Sequence, residues 1–269
     1  MLIQAGFEIA FTCPGPTPML LQVHVRPERE PDLQVPESLG TTPYTPYSTY
    51  IDSFGNRCTR LLAPAGTFTL SNLFRIRDTG VPETLPLRGQ QALVNELPDA
   101  ALVYLLGSRY CDTDNLATLA WKLFGKMQPG WPRVRAILDY VHDRIAFGYE
   151  HASAVRTASQ CHQERVGVCR DFAHLVITLC RCMNVPARYC TGYLGDIGVP
   201  PDPAPMDFSA WAEVLLDGKW HAVDARHNIP RTGRIAMAHG RDATDAAIST
   251  AFGTAELASF KVFTSEVVS

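Results

Sequence analysis

The order of local signals predicts an α+β protein: a β-rich, sandwich-like N-terminal domain followed by a domain of mixed helices and strands. Three observations carry this reading. Short runs rich in branched and aromatic residues, punctuated by Pro and Gly, fill residues 1–85. Helical periodicity begins only past residue 98. Strand-like alternation returns after Pro186, late in the chain. Strands first and helices afterwards, without strict alternation, is the α+β order. A chain of 269 residues has room for one large domain or two small ones. The expected division is residues 1–85, a linker at 86–98 with Pro86 and Pro98 at its ends, and a second domain over 99–269.

In the N-terminal part, residues 7–11 and 19–25 read as strands separated by Pro14, Pro16 and Pro18. Residues 47–52 and 57–62 flank Ser53-Phe54-Gly55-Asn56, a hairpin signal. No chemistry is legible there. Helices are expected at 100–106, at 114–124 with Asp112 or Thr113 as N-cap, and at 132–145 with Pro132 near its first position. A strand is expected at 187–194. A loop rich in Pro and Gly follows it, of the kind that often covers a binding site.

Composition removes several function classes. A net charge of −3 gives no reason to expect nucleic acid or an anionic membrane as partner. No apolar run approaches the ~20 residues of a membrane span. Residues 1–11 lack a basic start, carry Glu8 and read as a strand rather than a signal peptide. A cytoplasmic location is therefore expected, with the eight cysteines mostly reduced. No C-x-x-C pair exists. Cys180 and Cys182 point to different sides of a helix, and Cys161, Cys169 and Cys190 are irregularly spaced. Neither a metal nor another cofactor is expected.

The chemistry centres on Gly167-Val168-Cys169-Arg170-Asp171-Phe172-Ala173-His174-Leu175. Phe172, Leu175, Val176, Leu179 and Met183 have helical spacing, so Gly167 marks the passage from loop to helix. Cys169 then lies in the first turn, where backbone N–H groups lack partners and the dipole favours a thiolate. A lowered thiol pKa is the expectation. Asp171 suits the same turn. Val185-Pro186 should end the helix near Asn184.

Downstream, residues 208–216 alternate and Asp217-Gly218 signals a two-residue hairpin. A turn that tight sets Leu216 opposite Lys219 and Trp211 opposite Asp224, with position 209 diagonal to Asp224 on one face.

A cysteine at a helix start followed by two strands ending in Asp resembles the transglutaminase-like superfamily of papain-like thiol enzymes, and within it the bacterial cysteine-protease-like branch. Further matching blocks are Ser108-Arg109-Tyr110-Cys111, Asp224-Ala225-Arg226-His227-Asn228 and Gly240-Arg241-Asp242-Ala243. The resemblance runs from about residue 100 to the C-terminus, and more weakly over the β-rich part. It implies a papain-like transglutaminase core in which Cys169 attacks an amide carbonyl of a peptide or protein. The thioester formed goes to water in an amidase or to an amine in a transglutaminase. It also implies that Asp224 orients a base.

One residue departs from the family pattern. Position 209, where the catalytic His normally stands, is Ser. Ser209 cannot take a proton near neutral pH as imidazole does. His221 should point away, and His174 lies well round the helix. His227, just past the Asp224 strand end, becomes the surrogate base if the chain bends at Ala225-Arg226. Trp211, Gln160 and Arg170 are the cleft-lining candidates. The Cys169 N–H is one oxyanion donor, and Gln160 or a nearby loop residue is a candidate for the second. Two functions stand against each other: a cysteine amidase or peptidase, and a catalytically silent member that binds a peptide or protein in the inherited cleft.

Overall fold

The computed structural model describes residues 1–267. The N-terminal part contributes β1 (Leu2–Cys13), β2 (Thr17–Leu21), β3 (Leu33–Val35), β4 (Gly40–Thr42), β5 (Tyr47–Ile51), β6 (Arg57–Ala63) and β7 (Gly66–Arg77). Helices follow: α1 (Asp99–Leu102), α2 (Thr113–Phe124) and α3 (Trp131–Arg144). Two short strands, β8 (Ala146–Phe147) and β9 (Val166–Gly167), bracket α4 (Ala158–Glu164). Then come α5 (Cys169–Cys182), β10 (Ala187–Tyr193), β11 (Ser209–Leu216), β12 (Lys219–Val223), β13 (Ile235–Gly240), β14 (Ser249–Ala251) and β15 (Glu256–Glu266).

The N-terminal strands form two facing sheets. One runs β15-β1-β7-β3, with β4 also on β7, and the other runs β14-β2-β6-β5. Strict alternation in β7 sends Phe68, Leu70, Phe74 and Ile76 inward, against Ile3 and Phe7 of β1 and Met19 and Leu21 of β2. The expected hairpin is present as β5 and β6. Asp52 closes its turn by accepting from the N–H groups of Phe54 (2.8 Å) and Asn56 (2.9 Å).

The expected division at 99–269 is corrected at its C-terminal end. Strands β14 and β15 complete the two N-terminal sheets, β15 pairing along β1 from Ile3↔Glu266 to Thr12↔Glu256. The long strand β1 has two edges, and the one not used by β7 needs a partner for its backbone groups. Nor do residues 86–98 hang free. Gly89 accepts from Trp131 N–H (2.9 Å), Gln90 accepts from Asp217 N–H (3.0 Å), and Gln91 donates to the Met183 carbonyl (2.9 Å). That segment straps the second unit.

In the second unit α5 is the central element. It packs on β10 and β11 and against α2, α3 and α4, and residues 171–181 are all buried. The expected stop is observed: Asn184 takes a left-handed φ of 60° before Val185-Pro186. The sheet runs β12-β11-β10-β13, antiparallel throughout. Asp217 and Gly218 have φ of 49° and 69°, as a type I′ hairpin requires. The register is the expected one, Leu216↔Lys219 through Ala212↔Val223. One face of this sheet covers α5 and the other meets the N-terminal unit. Among the described residues no helix is long and apolar enough to cross a membrane.

Candidate active site

Cys169 is the first residue of α5, with Val168 as N-cap. Two devices fix it there. The parallel pairing of Phe147 with Gly167 holds the approach. Asp171 then folds back, its Oδ2 accepting from Val168 N–H (2.9 Å) and from the Arg156 guanidinium (3.0 Å). Gly167 is needed for that closure, since a Cβ there would lie 2.7 Å from Asp171 Cβ. Asp171 thus has the helix-end role expected of it.

The half-buried Cys169 opens on a cavity of about 310 Å³ bounded by Ser153, Arg170, Tyr189, Asp207, Phe208 and Phe260, among others. Its thiol is not activated at rest, contrary to the expectation from helix position. Burial, then the Asp207 carboxylate, push its pKa up to about 11, against the pull of Arg226 and of the Ala210 N–H. A charge at a helix end gains about 0.3–1 kcal/mol from the dipole, less than one pKa unit. Desolvation outweighs that.

Asp224 follows the last residue of β12 and is buried. Its Oδ1 accepts from the N–H groups of Arg226 (2.9 Å) and His227 (3.4 Å). Its Oδ2 accepts from His227 Nδ1 (2.8 Å) and from Arg234 (3.0 Å). The bend at Ala225-Arg226 is therefore real: Asn228 N–H closes onto the Asp224 carbonyl at 2.8 Å, with φ of 54° at Asn228. Burial opposes ionisation of Asp224, but Arg234 and His227 prevail and hold its carboxyl well below the usual range. Arg234 also pairs with Glu83 (2.6 Å) and lies 4.9 Å over the Trp211 ring.

His227 and Ser209 line one small cavity, about 80 Å³, together with Asp207, Phe208 and Arg226. Asp207 and Phe208 are common to this cavity and to that of Cys169. The Ser209 Oγ is buried with no hydrogen-bond partner among the described residues. With Nδ1 donating to Asp224, His227 presents Nε2 as its free ring nitrogen, in the tautomer a general base requires.

The other candidates part company. Arg170 lines the Cys169 cavity, donates to the Ser153 carbonyl, and sits 5.5 Å over the Tyr110 ring. Trp211 is fully buried, borders neither cavity and supports Arg234, so it is not a cleft wall. Gln160 is also corrected. Its side chain accepts from Thr157 N–H (2.9 Å) in the capping box of α4, and it does not border the cleft. His221 pairs with Val214 as expected, and His174 is buried, stacked on Tyr110. Asp207, Arg234 and the Ala210 N–H were not foreseen. Asp207 stands just before the alternating run of 208–216, and no local pattern marks it.

A thiol at the start of a buried helix, packed on an antiparallel sheet whose hairpin ends in an Asp bonded to an imidazole, defines the papain-like class of thiol folds. The chain belongs to the transglutaminase-like superfamily. The family model of that superfamily matches residues 117–225. A crystal structure from Cytophaga hutchinsonii, named a "putative cysteine protease", is 32% identical with a TM-score of 0.84, over 100% of this chain and 91% of that one. An uncharacterised protein of Mycobacterium leprae is 33% identical over 116 residues, 42% of this chain and 39% of that protein's length.

Proposed function

We propose that this protein hydrolyses a peptide or protein amide through a Cys169 thioester, with His227 oriented by Asp224 as the base that replaces the missing imidazole at 209. The observation that carries this reading is the 2.8 Å bond from His227 Nδ1 to Asp224 Oδ2 in the cavity that Ser209 lines. Ser209 leaves room where a larger side chain would stand, and an imidazole from three residues past Asp224 takes up the same partner.

A thiol with a pKa of about 11 is neutral at rest, so its proton must leave during attack, as in a serine enzyme. The proton passes from Sγ to His227 Nε2, directly or through one water, as the C–S bond forms. The Cys169 N–H, at the start of α5 where amides lack helical partners, holds the oxyanion. The C–N bond then breaks and the amine leaves with the proton from the imidazolium. Water attacks the thioester, the acid departs, and Sγ regains its proton.

The neutral thiol and Ser209 favour a second reading, a cleft that binds a peptide without turning it over. One experiment separates the two. The wild type, Cys169→Ser and His227→Ala are incubated with a peptide-amide library and hydroxylamine, and acyl hydroxamates are sought by mass spectrometry. Hydroxamate from wild type alone supports the enzyme. Turnover in Cys169→Ser or undiminished turnover in His227→Ala would overturn the mechanism. Saturable peptide binding with no hydroxamate would establish the silent reading.

A further inference from the structure

We propose that Cys190, Glu213 and His239 form a binding site for one divalent zinc-like metal ion, on the face of the β12-β11-β10-β13 sheet turned away from α5. The three residues sit on three adjacent strands. Cys190 pairs directly with His239 across β10 and β13, and Glu213 lies diagonal to Cys190 on β11. Their sulfur, oxygen and nitrogen donors all fall within 4.8 Å of one another.

Two features point to an occupant. First, His239 is buried, and neither of its ring nitrogens has a hydrogen-bond partner among the described residues. A buried imidazole with both nitrogens unsatisfied is costly unless something binds there. Second, the supports of a metal site are already in place. Arg188 grips Glu213 Oε2 at 2.5 Å, and Oε1 lies 3.7 Å from His239 Nε2. Asn56 clamps the His239 backbone from both sides, accepting from its N–H and donating to its carbonyl, each at 2.8 Å. Such outer contacts fix donor direction in metal sites.

The chemistry fits a borderline ion. One thiolate, one imidazole and one carboxylate are zinc ligands, and the fourth tetrahedral position is left for water. Zinc bond lengths of about 2.0–2.3 Å put neighbouring donors roughly 3.3–3.6 Å apart, so side-chain rotations of about 1 Å close the site. Binding expels the Cys190 proton, and the ion's two charges balance thiolate and carboxylate. The charge of Arg188 then faces a neutral centre. Arg188, which holds Glu213, itself lines a groove of about 580 Å³ with Tyr104 and Trp220. The site lies on the opposite side of the sheet from Cys169, so its role is to tie β10, β11 and β13 together.

The full chain, stripped with chelator, is titrated with cobalt(II). The expected result is a thiolate-to-cobalt charge-transfer band saturating at one equivalent. Cys190→Ser removes that band. His239→Gln weakens binding by more than the roughly 10–100-fold that losing a supporting group costs. Cys169→Ser retains the band. No band, or a band lost in Cys169→Ser and kept in Cys190→Ser, overturns the proposal. X-ray absorption of the zinc-loaded wild type needs no variant: one sulfur neighbour is expected, and a sulfur-free shell overturns the site.

Discussion

Replacing Asp224 by Asn tests the site at its most connected atom. The variant keeps Oδ1 as acceptor for the Arg226 N–H. In place of Oδ2 it presents an NH₂ group to two donors, His227 Nδ1–H and the Arg234 guanidinium, which lie 2.8 and 3.0 Å from Oδ2. Hydrogen bonds to charged groups are worth about 1.5–3 kcal/mol each, and removing one member of a buried ion pair costs about 3–5 kcal/mol. Arg234 keeps Glu83, which favours the lower half of that range, about 3–4 kcal/mol. Urea unfolding at pH 7 should show a lower midpoint with an unchanged slope. The thermal midpoint should fall by roughly 6–16 °C for a chain of this size. The pH dependence has a definite sign. A depressed carboxyl pKa gives stability that is fully present above the unfolded value, about 3.9, and is lost as pH falls through the folded value. The wild type's advantage should therefore be constant from pH 8 to 5 and shrink only below about pH 4. A difference under about 1 kcal/mol, or one already fading between pH 8 and 6, would show that Asp224 is not held by this network.

In the His227→Ala background, Ser209→His should place an imidazole beside Asp224 and raise kcat/KM toward peptide amides by about 10²-fold over His227→Ala alone, the lower range for general-base catalysis; peptide-anilide assays showing no gain would count against the cavity geometry. Alkylation of Cys169 by iodoacetamide, followed by mass spectrometry, should rise about tenfold per pH unit between pH 7 and 10, as for a thiol whose pKa is about 11. A plateau below pH 9 would show a thiol activated at rest. Asp207→Asn removes the carboxylate that raises this pKa, so alkylation at pH 8 should be several-fold faster than in wild type.

What the sequence discloses about this site follows from how far each relation reaches along the chain. The β11–β12 hairpin is closed by two residues, so period-two alternation alone sets Leu216 on Lys219 and leaves position 209 near Asp224. The return of His227 to Asp224 spans three residues and is a turn preference of Asp, legible as a possibility and decided by the Asn228 closure. Arg234 is ten residues beyond Asp224, and no local pattern says that the loop into β13 carries it back beneath the carboxylate. The pairing of β15 with β1 joins the ends of the chain, and a strand's own residues do not name its partner. The thiol pKa failed for a different reason. Helix position is local and favours the thiolate, whereas burial and Asp207 arrive only when β10, β11 and the loop before Ser209 close over Cys169. The same logic explains why a metal was not expected. Ligand spacing rules describe donors gathered on one loop or helix. Cys190, Glu213 and His239 are 23 and 26 residues apart in sequence and adjacent only across three paired strands.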